Sequence, residues 1–348
     1  MTHYQGVECV DDSDHLNFQH KIMQNQTIAG IDVSSETLDI CVSNSQEQRS
    51  FVIKNDVKSI GRFFKTYEHE TLFIGMENTG RYNWALYEVL KELHHQVFVV
   101  SPLHLKKSLG LVRGKNDKID AVRIAGFILK NHSELPQWKP SSTAVQKLKI
   151  LLTERNSRIK AKSKILNQQK DHMRMKHLGL DKYLQGLNKQ QLAVLNRQIS
   201  QIELDIEALV KADQPMQQQA KLIQSIPGVG KILCWTMLAK TENFTVITEP
   251  RKMACYSGVV PFSNRSGTSI RGKDRVSAYA DKDIKTILHM AAMRAVRLKN
   301  DLRDFYLRKV AEGKNKMSVL NAIRNKLIHR IFAVIKNQAP YQNHLLLS

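Results

Sequence analysis

Hydrophobic and polar positions divide the chain into three regimes. From Thr27 to Ser101, short apolar runs alternate with short polar links. TIAGIDVS (27–34) is almost continuously apolar and predicts a buried strand ending at Asp32. LDICVSN (38–44) alternates and predicts a second strand, and RSFVIKN (49–55) a third. The polar links between them are short enough for an antiparallel meander. Ile60 to Tyr67 has helical spacing, and TLFIGME (71–77) is a further buried strand ending at Glu77. Trp84, Leu86, Tyr87, Leu90 and Leu93 fall on one helical face, and QVFVVS (96–101) is a fifth strand. Three strands followed by alternating strand and helix predict a mixed sheet flanked by helices. A helix opening around Asp117 and Asp120 and running to about Lys130 closes this unit.

The second regime is long and polar. After a boundary rich in proline and serine (131–144), Val145 to about Gln219 is helical, with interruptions expected near Gly179 and Gly186. Leu148, Leu151, Leu152, Ile159, Ile165 and Leu166 form one apolar stripe. Leu187, Leu192, Leu195, Ile199, Ile202, Ile206 and Leu209 form a second. Spacings of 3, 4 and 7 predict two long helices paired as a hairpin or coiled coil. The third regime, from Leu222, is helix-rich. A helix breaks at Pro227, turns through Gly228, Val229 and Gly230, and restarts at Lys231. The predicted organisation is a polar, poorly ordered tail (1–26), an α/β domain (27–140), a helical spacer (141–220) and a mostly α C-terminal domain (221–348).

Charge changes this picture. The 348 residues carry a net charge of +21, distributed as −6 over residues 1–100, +13 over 101–180, zero over 181–250 and +14 over 251–348. Two basic blocks behind an acidic one point to a polyanionic partner. No apolar run approaches the roughly 18 residues that span a bilayer, and the basic residues are not confined to one amphipathic helix, so a membrane partner is not expected. The start of the chain lacks the apolar core of a signal peptide. Cys9, Cys41, Cys234 and Cys255 show neither zinc-site nor disulfide spacing. A reducing cytoplasm is the expected compartment.

Candidate chemistry follows from acids placed where they are costly. Asp117 and Asp120, three apart on a helix, share a face and are crowded by Arg113, Lys115 and Lys118. Taken alone, this is the ordinary acidic start of a helix. Asp32 and Glu77, however, each end an apolar strand, where a carboxylate requires a partner and where ligands of such sheets gather. Converging at one sheet edge, the four would bind Mg²⁺ or Mn²⁺ through oxygen. The Gly228–Gly230 turn with Lys231 resembles a helix-hairpin-helix, whose amides face nucleic-acid phosphates; an ordinary tight helix connection is the alternative. Between Ser263 and Ser277, serines lie among Arg265, Arg271, Lys273 and Arg275, with Gly267 and Gly272 permitting close backbone approach. A serine beside a glycine in a basic loop can attack phosphorus if its proton is removed and the phosphate charge neutralised.

The order GIDVSSETLDICV, GMENTGRYNWALYEVL, RGKNDKIDAVRIA, followed by IPGVGKILCWTMLA, YSGVVPFSNRSGTS and GKNKMSVLNAIRNKLIHRIF, resembles the DEDD transposases. These are insertion-sequence recombinases related to the Piv DNA invertases. The resemblance spans about residues 27–341. It implies a RuvC-like, ribonuclease-H-like first domain whose four acids are Asp32, Glu77, Asp117 and Asp120. It also implies a catalytic serine at Ser266, beside Gly267, with Ser263 and Ser269 as rivals. DNA is the implied substrate, and a homodimer assembling to a synaptic tetramer the implied form. Some members take a structured guide RNA, and the expected setting is the bacterial nucleoid. The chain departs from the family pattern in its extra acidic tail and at Asp281, where relatives often carry glycine. Two other readings compete: a metal-dependent RuvC-like junction nuclease that needs no serine, and a non-catalytic nucleic-acid-binding protein.

Overall fold

A computed structural model describes the backbone of residues 26–108, 117–174, 176–266 and 270–342. It describes the side chains of these residues apart from 117, 263–266 and 270–274. The predicted polar tail lies outside this range except for Gln26. Among the described residues the chain forms two compact units that meet between Pro140 and Ser141.

In the first unit the strands are β1 (Thr27–Val33), β2 (Thr37–Ser43), β3 (Gln48–Lys54), β4 (Leu72–Glu77) and β5 (Gln96–Val100). They form one mixed sheet in the order β3-β2-β1-β4-β5. The β1–β2–β3 part is an antiparallel meander, whereas β1, β4 and β5 run parallel. Helices α1 (Val57–Lys65) and α2 (Trp84–Leu90) cover one face, and α3 (Pro102–Ser108) and α4 (Asp117–Asn131) the other. Both faces of the central strands are therefore buried, which is why β1 and β4 read as continuous apolar runs rather than alternating ones. Ala29, Ile31 and Val33 point to the α1–α2 side, and Ile28 to the α4 side.

Gly30 and Gly75 are register partners on β1 and β4 and share the α4 face. A Cβ on Gly30 would sit 2.2 Å from the Ala121 carbonyl oxygen and 2.4 Å from the Ala125 nitrogen. A Cβ on Gly75 would sit 2.2 Å from Ile128 Cγ1. The two glycines form a trough in which the backbone of α4 rests directly on the sheet.

The second unit opens with α5 (Thr143–Arg174) and α6 (Asp181–Ala212), joined through a 3₁₀ turn at Lys176–Leu178. Arg155 Nε donates to Glu203 at 2.7 Å and Arg158 Nε to Gln198 at 3.1 Å, so the two helices pair antiparallel. The break comes near Gly179, as expected. The break expected at Gly186 does not occur: α6 runs through it, because an exposed helical glycine costs only about 1 kcal/mol against alanine. The two apolar stripes are also buried less than their spacing suggests. Leu148, Leu152 and Ile206 enter the core, but Leu166 and Leu187 remain exposed, because a helix facing one neighbour covers only part of its stripe.

The remaining helices are α7 (Gln214–Gln224), α8 (Lys231–Lys240), α9 (Pro250–Tyr256), α10 (Lys282–Ala295), α11 (Asp301–Ala311) and α12 (Lys316–Asn337). The base of the α5–α6 pair shares one hydrophobic core with them. β6 (Phe262–Ser266) and β7 (Ile270–Arg275) form a small antiparallel hairpin within this helical unit. The expected irregular serine loop is therefore in large part β structure. No helix among the described residues is long and apolar enough to cross a membrane.

The trough carries an expectation for stability. Gly30→Ala pushes a methyl into helix backbone, which cannot swing aside, and is expected to cost about 3 kcal/mol. Gly75→Ala meets a side chain that can repack and is expected to cost about 1–2 kcal/mol. Denaturant midpoints at unchanged slope are the measurement; equal costs would refute the trough.

Candidate functional site

β1 and β4 are parallel with Ile31 opposite Met76. The next residues, Asp32 and Glu77, are therefore level at the C-terminal ends of adjacent strands, on the same face as Gly30 and Gly75. Asp39 lies directly opposite Asp32 across the β1–β2 pair, so it projects from that face too. All three carboxylates are half-buried. Asp39 was missed from sequence; the signal was present, since a tight β1–β2 turn places Asp39 across from Asp32.

The direction of α4 follows from its contacts. His132, just past its C-terminal end, packs edge-on against Phe73 at 5.0 Å, and Ile128 packs over Gly75, two residues further along β4. The helix thus runs antiparallel to β4, and its N-terminal end points to the edge occupied by Asp32 and Glu77. The positive end of the helix dipole favours negative charge there. Asp120 is half-buried on the first turn and accepts from Arg123 at 2.8 Å. The side chain of Asp117 lies outside the described residues, as do Arg113 and Lys115; Lys118 is exposed. Among the described residues, no three acids, histidines or cysteines close into a group that could hold a metal. The donor set nevertheless suits a hard divalent cation: the acids offer only carboxylate oxygens, from one sheet edge and one helix end.

Two asparagines hold this edge, and sequence reasoning missed both. Asn83 is fully buried, donates to the Glu77 carbonyl at 2.9 Å and accepts from the Thr79 amide and hydroxyl at 2.9 and 2.6 Å. It thereby closes the turn that follows β4. Asn55 Nδ2 bridges the carbonyls of Ser34 and Tyr82 at 2.8 and 2.9 Å, joining the turn after Asp32 to the turn after Glu77.

In the second unit, Ser266 is the last residue of β6, paired with Ile270, and Arg265 is paired with Arg271. Gly267 and Ser269 lie outside the described residues, as do the side chains of Ser263, Arg265, Ser266, Arg271 and Lys273; Arg275 is exposed. The backbone places Ser266 at the point of the hairpin where the strands part. Asp281 begins the helix after it. Its carboxylate accepts from the amides of Asp283 and Ile284, from Lys240 Nζ at 2.7 Å and from the Tyr256 hydroxyl at 3.1 Å. Burial works to raise the Asp281 pKa, but the Lys240 ammonium and the amides outweigh it and hold the carboxyl below its ordinary value.

The Gly228–Gly230 turn forms as expected, with Gly228 at φ +91. Gly228 is buried, however, and a Cβ there would meet Ala295 at 2.7 Å, so this glycine permits close packing of the turn on α10. Gly230 is exposed, and Lys231 donates to Glu207 at 2.8 Å. Part of the basic character of α5 is likewise engaged internally, in Lys149–Glu242, Arg155–Glu203 and Arg158–Glu154 pairs.

Sequence comparison identifies the family. Residues 29–177 match the IS110-type DEDD transposase family, and residues 220–307 match the transposase IS116/IS110/IS902 family. Together the two matches take in well over half of the chain. This chain belongs to the IS110/IS116/IS902 transposase family. The pilin gene-inverting protein of Moraxella bovis is 25% identical over 335 residues, covering 92% of this chain and 99% of that protein. The transposase for insertion sequence element IS1111A of Coxiella burnetii is 22% identical over 355 residues, covering 93% of each. Among solved structures, a RuvC from T. thermophilus in complex with a Holliday junction substrate covers 32% of the chain at 17% identity and a TM-score of 0.27. That likeness is too low to bear on function. In this transposase-family chain the first match takes in Asp32, Glu77, Asp117 and Asp120, and the second takes in the hairpin of Ser266.

Two stability expectations follow. Asn83→Ala leaves the Glu77 carbonyl and the Thr79 amide without their buried partner and is expected to cost about 2 kcal/mol in denaturant unfolding. Asp281→Ala removes a helix cap and is expected to cost about 1–2 kcal/mol at pH 7. Because the folded-state pKa of Asp281 is depressed, its contribution is present above the unfolded value of about 3.9 and is lost as pH falls through the lower folded value. The gap between Asp281→Ala and the parent should therefore close in acid; a constant gap down to about pH 2 would contradict the ion-paired cap.

Proposed function

We propose that this family member is a DNA recombinase that exchanges strands by transesterification, with Ser266 as nucleophile. The observation that carries the reading is the level placement of Asp32 and Glu77 at the ends of β1 and β4, facing the N-terminal end of α4. That edge gathers carboxylates, the oxygen donors that a hard divalent cation takes, and such a cation would offset their repulsion of a nucleic-acid phosphate.

Asp32, Glu77, Asp117 and Asp120 would hold Mg²⁺ or Mn²⁺. When bound, the cation supplies Lewis-acid neutralisation of charge at phosphorus. The Ser266 hydroxyl attacks a backbone phosphodiester. The Oγ–P bond forms as the P–O bond to the departing sugar breaks, the Oγ proton passes to a carboxylate, and the departing oxygen takes up a proton. Arg265, Arg271 and Lys273 offset the negative charge of the phosphate. The phosphoserine retains the energy of the broken ester for rejoining, so no nucleotide cofactor is required. Arg113, Lys115 and Lys118 lie beside the acids in sequence and would track the DNA backbone.

The acids and the serine belong to separate compact units. In this reading they meet at one phosphodiester when two dimers assemble on DNA as a synaptic tetramer. The exposed apolar side chains at the far end of α5 and α6, Leu166, Met173 and Leu187 among them, support a dimer contact there. Insertion, excision and inversion all use the same chemistry. The basic blocks also accommodate a structured guide RNA.

A suicide DNA substrate tests the proposal. The parent protein is expected to trap a covalent protein–DNA complex with Mg²⁺ present, and Ser266→Ala to trap none. Asp32→Ala or EDTA is expected to lower the rate at least about a hundredfold, the scale of losing one charge-stabilising group. Covalent complexes from Ser266→Ala would exclude this serine. Free DNA ends in place of covalent product would establish a hydrolytic junction nuclease instead. RNase treatment of the purified protein, followed by the same assay, decides whether an RNA guide is required.

A further inference from the structure

The second unit contains a cluster of basic groups that the proposed chemistry does not use. Arg324, on α12, is only 6% exposed. A guanidinium buried to that degree ordinarily answers a carboxylate, because an unpaired buried charge is costly. Its partners here carry no negative charge. Nη1 donates to Asn321 Oδ1 at 3.3 Å, Nη2 donates to His289 Nδ1 at 2.9 Å, and Nε has no partner among the described residues. A guanidinium can only donate, so Nδ1 of His289 accepts, and the proton of the neutral imidazole sits on Nε2. Lys285 lies one turn earlier on the same face of α10. Burial, and after it the Arg324 charge, lowers the pKa of both Lys285 and His289; burial also lowers that of Arg324.

The acids on the surrounding helices are committed elsewhere. Asp281 is held by Lys240 and Tyr256, Asp301 by Arg330 and Glu249 by Lys252. Asp283 faces Lys160 at 3.7 Å, Asp213 caps α7, and Asp304 is exposed. Among the described residues, three nitrogen-bearing side chains thus share a partly desolvated site with no counter-charge.

The cluster lies at the root of the Ser266 hairpin. Asn321, which accepts from Arg324, donates through Nδ2 to the Val259 carbonyl at 2.7 Å, three residues before β6. The chain leaving β7 is tied back where the Asp281 amide donates to the Tyr256 carbonyl at 2.9 Å. Between these ties Gly258 adopts φ +63, and a Cβ there would lie 2.5 Å from Ala280 Cβ and 3.8 Å from Lys285 Nζ. The Lys285 ammonium therefore sits against backbone at the hairpin base.

We propose that Lys285, His289 and Arg324 form a phosphate-binding site that holds a backbone phosphodiester of the bound nucleic acid at the root of the serine hairpin. The Lys285 ammonium and the His289 Nε2–H are its donors, the buried Arg324 guanidinium adds positive charge behind them, and the phosphate supplies the missing negative charge. The three are positioning residues: they fix the strand, and the reacting phosphodiester belongs to Ser266. This assignment rests on nucleic acid being the substrate.

The test uses the full-length protein with labelled histidine, the His289 imidazole signal being identified by its loss in His289→Gln. Inorganic phosphate and a DNA duplex are titrated separately. Both are expected to shift the His289 signal, and Lys285→Gln to weaken both responses. In parallel, Lys285→Gln is expected to weaken duplex binding about tenfold near 0.1 M salt and to flatten the dependence of log affinity on log salt by about one, the signature of one lost phosphate contact. Half-buried Lys285 and His289 are chosen because Arg324 variants can fail to fold. A His289 signal indifferent to both probes overturns the site. A signal that answers inorganic phosphate but not DNA overturns the backbone assignment and leaves a free-phosphate site. Failure of covalent capture by Ser266 with the His289 response to DNA intact removes the serine mechanism and keeps this site, so the two proposals fail separately.

Discussion

The first unit depends on the backbone of one helix lying directly on a sheet. Gly30 and Gly75 are neighbours in register, and with no side chain at either position α4 descends until the Ala121 and Ala125 backbone touches β1. Close packing leaves little freedom in where the helix ends. Its N-terminal end, with Asp120 on the first turn, therefore points toward the edge that carries Asp32 and Glu77. Asn55 and Asn83 complete the arrangement by tying down the two turns that follow those acids.

The second unit solves a different problem, that of accommodating positive charge. Part of the charge on α5 is absorbed by glutamates on the same helix, on α6 and at Glu242. Around the serine hairpin the treatment differs between neighbours. Lys240 is matched by Asp281, whereas Lys285 and Arg324 receive no carboxylate among the described residues. A fold that matches the Lys240 ammonium with a carboxylate and leaves the buried Arg324 guanidinium to histidine and asparagine is carrying an electrostatic cost. Binding a phosphate would relieve it.

Much of the architecture is legible in periodicity. The five strands, their order along the chain and the flanking helices follow from apolar runs of strand length separated by polar links. The strand-end acids stand out because a carboxylate that closes an apolar run is costly unless a partner meets it. Asp281 shows the limit of reading by likeness: the expected departure at the helix start does not disturb it, since the Asp281 carboxylate caps α10. The β6–β7 hairpin reads as a loop because its strands, FSNRS and IRGKDR, are polar and exposed at Phe262 and Arg275 and give no alternating apolar face. Gly186 reads as a break, but an exposed helical glycine lowers stability without ending a helix flanked by good formers.

By itself the sequence determined the five strands of the first unit and most of the helices, the two basic blocks and the residue types able to do phosphoryl chemistry, because these depend on local pattern and composition. Only the tertiary structure decided which of them share a place. Asp39 beside Asp32, Asn55 bridging Ser34 and Tyr82, Gly228 packed on Ala295, and Arg324 donating to His289 all join residues separated by intervening chain. Such pairings depend on register and helix approach, which are set by close packing across the core and leave no periodic trace in the residues that meet.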